Sequence, residues 1–387
     1  MLYRAAVVTL LVMITAGSDA RSTRDPEALV VHEWGTFTSI AGENGEAVPW
    51  TPLQAPDDLP CFVERFRRYR GKGFVRGTVR METPVLYFYA PRETSVDVTV
   101  RFPGGLITEW FPRAAVTPVQ LVPDDGLARP GFGGSATWTG VRVMPGSRED
   151  FPTQGRSSHY YLARQTEAAP IEVAGAREKF LFYRGVADVR VPITATAVVD
   201  GSVRVASRDA APLRTVVLFE RRGARTGFEI RSPAGASVTF SPLHLTRDVA
   251  ALTAALETIL VRNGLYAREA KAMVDTWRDS WFEEGTRVFY ILRQAAVDAM
   301  LPLEIKPQPA SVARVFVGRM EVVTPATRAD VERALAARDS AGLRRHGRFV
   351  LPISERILAD PAVRLDRSGM PQWIYGALAA TGSPACQ

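Results

Sequence analysis

From about residue 75 to residue 243 strand signals recur, without a fixed period. A short run of β-branched and aromatic residues is followed by a turn signal, with no long amphipathic segment between runs. Parallel strands need a crossover of a dozen residues or more, usually a helix, so this stretch points to antiparallel pairing and to sheets packed face to face. Residues 94–102 alternate, with Val96, Val98, Val100 and Phe102 on one side and polar residues on the other, the period of a half-buried strand. Residues 79–90 (VRMETPVLYFYA) are apolar on both sides after Pro84 and read as a strand covered on both faces. Asp200-Gly201 joins residues 194–199 to 202–206 as a hairpin, and 215–220 with 226–231 form another. Upstream, residues 29–40 (LVVHEWGTFTSI) read as a strand with Gly35 as a bulge or bend. Residues 157–163 read as a strand and 62–69 as a short helical piece.

Near residue 245 the period changes. Val249, Leu252, Leu256, Ile259 and Leu260 recur at helical spacing, and Asn263-Gly264 is a stop. A second helix is expected over 266–284, strands over 288–292 and 312–323, and helices over 295–301, from Thr324-Pro325 to about 338, and over 352–358. The expected fold is therefore mainly β: an antiparallel β-sandwich over 27–245 followed by a C-terminal, helix-rich α+β module over 246–387. Local patterns leave open whether the two regions share one core.

The first twenty residues read as a signal peptide. Arg4 precedes a twelve-residue apolar run (5–16), and Ser18-Asp19-Ala20 supplies small residues for cleavage after Ala20. The run is too short to span a bilayer, which takes about 20 apolar residues. The expected location is periplasmic or secreted, with no stable membrane insertion after cleavage. The net charge is +7, with 48 basic against 41 acidic residues. Arginines are spread along the chain and interleaved with acids, which argues against nucleic acid as a partner; the dense run from Arg65 to Arg76 reads as a solvated loop. The two cysteines, Cys61 and Cys386, are free to pair in an oxidising compartment, and only geometry decides whether they do.

Few side chains suit chemistry. His32-Glu33 and His159 make a candidate site for a divalent metal with two imidazoles and one carboxylate, and Glu82 or Glu109 would serve as a further ligand or general base. The HExxH helix motif is absent, because position 36 is Thr and the context is a strand. Neighbours on a strand face opposite ways, so only a bulge would bring His32 and Glu33 to one site. The competing reading hydrogen-bonds His32 within the fold and pairs Glu33 with an Arg. Asp275, Asp279 and Glu283 form an acidic stripe at i, i+4 and i+8 beside Trp277 and Trp281; a solvated face next to a core stripe is favoured over a glycosidase centre. Arg184 ends the apolar run FLFYR and would clamp an anion or, as favoured, close a buried ion pair with Glu33, Glu82 or Glu178. For a binding module the candidate ligand contacts are Tyr160, Arg184 and Trp110, with Trp50, Trp138 and Trp373 as further aromatic platforms. Phosphate-binding loops, dinucleotide glycine fingerprints and CxxC pairs are missing, which disfavours nucleotide-dependent chemistry.

HEWGTFTS (32–39), METPVLYFY (81–89), ITEW (107–110), HYYLAR (159–164), FLFYRG (180–185) and MVDTWRDSWFEEGTRV (273–288) together resemble a family of exported bacterial proteins. The resemblance covers nearly the whole mature chain. It implies export and one common architecture, and it carries over no activity and no catalytic residue. The expected function is a binding or structural module of the bacterial envelope, with a carbohydrate, a peptide or another envelope protein as ligand. The alternative is a metal-dependent hydrolase built on His32, Glu33 and His159.

Overall fold

The computed structural model describes residues 28–379 apart from 55–58, 67–74, 119–126, 128, 156–157 and 210. The expected signal peptide, Cys386 and most of the basic run lie outside the described residues. Cys61 is disulfide-bonded, and the sequence contains one other cysteine, Cys386.

In chain order the first strands are β1 (Val30–Ile40), β2 (Glu64–Arg65), β3 (Val79–Tyr89), β4 (Thr94–Pro103), β5 (Gly105–Phe111), β6 (Ala115–Thr117) and β7 (Gly133–Val143). After a 3-10 helix at His159–Arg164 come β8 (Ile171–Val173), β9 (Ala176–Glu178), β10 (Leu181–Ala187), β11 (Ile193–Ala197), β12 (Val203–Ser207), β13 (Val216–Arg222), β14 (Arg225–Arg231) and β15 (Ser237–Phe240). Helices α1 (Val249–Arg262) and α2 (Ala267–Trp281) lead to β16 (Gly285–Ile291), α3 (Gln294–Met300), β17 (Leu303–Lys306) and β18 (Ser311–Glu321). The chain then continues through α4 (Pro325–Ala336), α5 (Ser340–Arg344), α6 (Val350–Ala359) and α7 (Met370–Ala379).

The large sheet has the order β14-β13-β16-β18-β1-β3-β10-β5-β2. One face is covered by two smaller sheets, β17-β4-β7-β8-β9 and β11-β12-β15. Val31, Phe37, Met81, Phe88 and Phe316 of the large sheet interdigitate there with Val98, Val100, Trp138, Ala195 and Val205. The fold is thus mainly β, with antiparallel sheets packed face to face and a C-terminal helical segment, as the strand pattern indicates.

The opposite face is covered by helices. Asp248 caps α1 by accepting from the Ala250 amide at 3.0 Å. Leu252, Leu256 and Leu260 of α1 and Met273, Trp277 and Trp281 of α2 then pack on Trp34, Tyr87, Val217 and Phe289. Each such side chain contributes about 1.5–3 kcal/mol on burial. A separate apolar layer forms at the carboxyl end of β1, where Ile40 and Trp50 meet Leu335, Leu343, Phe349 and Ile353 of the last helices.

Two features depart from the sequence reading. β16 and β18, which follow residue 245, lie in the middle of the large sheet between β13 and β1, so the line expected at 245 runs through one shared core. β1 and β18 also pair in parallel, from Val30↔Ser311 to Ile40↔Glu321. The crossover between them is the whole intervening chain, so no local helix announces it. Both strands are almost wholly buried, and a strand covered on both faces needs neighbours on both edges. Locally, HYYLAR is a 3-10 helix and not a strand, started by Ser158, whose hydroxyl accepts from the Tyr160 amide. Residues 64–65 form β2 where a helical piece was expected. No helix among the described residues is long and apolar enough to cross a membrane.

At the centre of the sheet Gly318 faces Tyr290 across the β16–β18 pair. The buried tyrosine ring lies over the glycine, so a Cβ at 318 would sit 2.0 Å from the ring's Cζ. Gly318→Ala is expected to cost about 3 kcal/mol, the upper end of ordinary overpacking. Gly318→Ala with Tyr290→Leu is expected to recover most of that loss, read from denaturant midpoints; equal midpoints for wild type and Gly318→Ala would contradict it.

Candidate functional site

The β1 strand sets the site because its side chains alternate between two layers. Val31, Glu33 and Phe37 face the smaller sheets, whereas His32, Trp34, Thr36 and Thr38 face the helices. The β1–β3 register shifts between Trp34 and Thr36, but this bulge lies beyond His32 and Glu33 and does not bring them together.

His32 Nδ1 hydrogen-bonds Glu269 Oε2 at 2.7 Å. The same carboxylate accepts from the Tyr89 hydroxyl at 2.8 Å and from the Tyr266 amide at 2.7 Å, which also starts α2. Burial and the Glu269 charge push the Tyr89 hydroxyl far above its ordinary range. On the other face Glu33 accepts from the Tyr183 hydroxyl and, at 2.6 Å, from Arg314 Nε. His159 sits on the 3-10 helix, 37% exposed, with Nε2 3.5 Å from Asp279. The three metal candidates therefore occupy three separate places. Among the described residues no group of three or more His, Cys, Asp or Glu is arranged to hold a metal ion.

The other predicted residues converge better. On the helix-covered face a polar band crosses six neighbouring strands. It runs from Arg287 on β16 through Arg319 and Glu321 on β18, Thr36 and Thr38 on β1, and Arg80 and Glu82 on β3, to Arg184 on β10 and Glu109 on β5. The register places Arg287 opposite Glu321, Arg319 opposite Thr38, Thr36 opposite Glu82, Thr38 opposite Arg80, and Arg184 opposite Glu109. The band forms a seam between the apolar layer under α1 and α2 and the layer under the last helices.

Within the seam, Arg287 Nε pairs with Glu321 Oε2 at 2.9 Å, both side chains fully buried. Arg319 lies between two carboxylates, 3.1 Å from Glu283 and 4.0 Å from Glu82. Glu82 also accepts from Thr38 at 2.7 Å and from Arg348. Arg80 donates to Glu109 at 3.3 Å, and Arg184 donates to Thr83 at 3.1 Å. Thr83 adopts a φ of 45°, unusual for a β-branched residue, at the point where the β3–β10 register also shifts. Such strain persists only where the surroundings enforce it, and it concentrates at sites.

A turn beside α6 roofs the seam. Arg348 reaches Glu82, and the Phe349 ring covers the guanidiniums of Arg319 and Arg287 at 4.9 and 5.6 Å. Between them and His346 sits Gly347, at a φ of 52°, where a Cβ would meet Glu283 Oε1 at 2.2 Å. Only glycine combines that conformation with that approach.

Burial governs the electrostatics. It pushes the Glu283 carboxyl up to about 7, against the pull of Arg319 and Arg287. It draws Arg319 down to about 10, although Glu283 opposes the fall. His346 is lowered to about 4 by burial and then by the charge of Arg222. Burial also raises Glu321 despite Arg287. At Glu109 burial acts upward too, but Arg80 and Arg184 outweigh it and hold the carboxyl below its usual range. Several buried polar atoms of the seam lack a partner: Thr36 Oγ1, Arg319 Nε, Glu321 Oε1 and His346 Nδ1.

The remaining candidates lie elsewhere. Tyr160 is buried and donates to Glu178, which Arg164 engages through two nitrogens at 2.9 and 2.7 Å. The carboxylates expected to pair with Arg184 are thus held otherwise at two positions, Glu33 by Arg314 and Glu178 by Arg164. Trp50 and Trp138 are core residues and Trp110 and Trp373 are half-buried, so the tryptophans form no exposed platform. The acidic stripe is broken because α2 ends at Trp281. Asp275 pairs with Lys271 and Arg278, Asp279 is exposed with His159 as its neighbour, and Glu283 turns inward. Sequence reasoning missed Arg287, Arg319, Glu321, His346 and Arg348. A signal existed for two of them: Arg319 and Glu321 are charges spaced by two at the end of a mostly apolar strand. No protein-family model matches the chain, and no curated protein resembles it in sequence.

Proposed function

We propose that this is an exported binding protein of the bacterial envelope, and that the seam takes a small polar ligand, with a neutral carbohydrate as the first candidate. The observation that carries this reading is the band itself. Four carboxylates and five guanidiniums lie along one band, which starts at the carboxyl-terminal halves of β1 and β18, the one parallel strand pair among the described residues, and runs between two apolar layers. Clefts between covering layers, outside the carboxyl ends of parallel strands, are where open sheets bind ligands. The near balance of charge disfavours a highly charged ligand. Four unpartnered buried atoms would each cost about 1–3 kcal/mol if left unpaired, and ligand hydroxyls supply both donors and acceptors for them. Export is supported by the leader pattern of residues 1–20 and by the disulfide at Cys61, which suits an oxidising compartment.

The test is a thermal-shift and calorimetric screen of the mature protein against neutral oligosaccharides, with short peptides as a second panel. A ligand present at a hundred times its Kd stabilises by about 2.7 kcal/mol, a clear rise in Tm. Thr36→Val is expected to abolish that rise while leaving the fold intact, because it removes one unpartnered hydroxyl and no ion pair. Ligands that bind Thr36→Val and wild type equally would remove the seam as the site, and a screen with no binder would leave the band a structural network.

A further inference from the structure

A pocket of about 320 Å³ opens where four parts of the chain meet: Glu46 and Ala47 after β1, Thr78 before β3, residues 188–191 after β10, and Arg208 after β12. None of these residues belongs to the seam. The volume lies at the small end of ligand pockets and suits one compact molecule. Its charged lining is two guanidiniums, Arg190 and Arg208, and two carboxylates, Glu46 and Asp188. Arg208 Nη2 reaches Glu46 Oε1 at 2.9 Å, and this contact, with the Arg208 and Arg190 charges, holds the Glu46 carboxyl below its usual range.

The walls are fixed by backbone bonds. The Asp188 amide donates to Gly104 O at 2.9 Å and the Arg208 amide to Pro192 O at 3.0 Å. The Thr78 hydroxyl donates to Val189 O at 2.8 Å and accepts from the Val189 amide at 3.0 Å. The backbone frame is therefore preset, and the ordering cost of binding falls on the charged side chains, Arg190 above all, which is exposed. An apolar ligand would desolvate four charges without replacement, and a ligand of one sign would meet two like charges. A molecule with one charge of each sign meets a partner for each and lets the Arg208–Glu46 pair open without leaving either alone.

We propose that this pocket binds a small zwitterion, a free amino acid or dipeptide, with its carboxylate on Arg190 and Arg208 and its ammonium on Asp188 and Glu46. The experiment is calorimetry of the mature protein at low salt with a panel of amino acids and dipeptides, each paired with its N-acetyl and its amide form. Expected is a binder whose affinity falls at least tenfold on blocking either end, and at least tenfold in Asp188→Asn and in Arg190→Met. Both variants lie in surface segments, and circular dichroism checks their fold. Thr36→Val is expected to retain this binding, which separates it from any peptide taken by the seam. Equal binding of blocked and free forms, unchanged affinity in both variants, or no binder in the panel would overturn the proposal.

Discussion

Arg287→Met is expected to destabilise the protein by about 3–5 kcal/mol, the cost of leaving a fully buried charge without its partner. Arg287 and Glu321 are both inaccessible to solvent and meet at 2.9 Å. Glu321 Oε1 already lacks a partner, so loss of the guanidinium leaves the whole carboxylate unpaired. Arg287 also donates to the carbonyls of Trp281, Glu283 and Glu284, the last peptide groups at the end of α2 and just beyond it. Those acceptors lose their donor in the same substitution. Glu321→Met is expected to be milder, because Arg287 keeps its three carbonyl acceptors. The double variant, apolar at both positions, is expected to be more stable than Arg287→Met alone, with a coupling above about 1 kcal/mol between the sites. Urea denaturation of the four proteins measures this cycle. Additive single effects would mean that the two side chains do not act as a pair.

The second large effect is in pH. Glu283 is held up to about 7 in the fold against an ordinary 4.5, and His346 down to about 4 against an ordinary 6.5. Between pH 4.5 and 7 the folded protein binds more protons at Glu283 than the unfolded chain does, so that group makes stability fall as pH rises. Between pH 4 and 6.5 the folded protein binds fewer protons at His346, so that group makes stability rise with pH. Each swing amounts to about 3–4 kcal/mol at most, at 1.36 kcal/mol per pKa unit. Glu283 retains 18% exposure, which makes its figure the upper bound.

From pH 4.5 to 6.5 the two slopes oppose and cancel. Glu283 is faced by Arg319, Arg287 and Glu321, and His346 by Arg222, Asp330, Arg287 and Arg345. Both groups are next to the Gly347 turn that roofs the seam. Glu283→Gln is expected to become more stable relative to wild type as pH rises from 4.5 to 7. His346→Asn is expected to become less stable over the same range when measured against Glu283→Gln. Denaturation curves collected across pH for the three proteins decide the matter; parallel profiles would show that neither group titrates as stated.

Much of the fold was legible because its causes are local. Alternation in residues 94–102, the Asp200-Gly201 turn and the helical stripe from Val249 to Leu260 each record a strand, a hairpin or a helix in a few adjacent residues. The site was legible only in part. Glu82 and Glu109 were named as a further ligand or base for the metal site and Arg184 as the end of an apolar run, and the three fall on one band instead. His32, Glu33 and His159 were grouped by chemistry, and pleating sends the first two to opposite faces while His159 stays at the surface.

The sequence by itself determined most of the elements and the mainly antiparallel β character, because side-chain period and turn chemistry act over a few residues. Only the tertiary structure decided that β18 lies beside β1, that residues 285–321 complete the central sheet, and that Arg287, Arg319 and Glu321 stand in one row with Glu82. Hydrogen bonds between strands some 280 residues apart leave no periodic mark in either strand. A buried charge names its partner only after the sheet has placed one within reach.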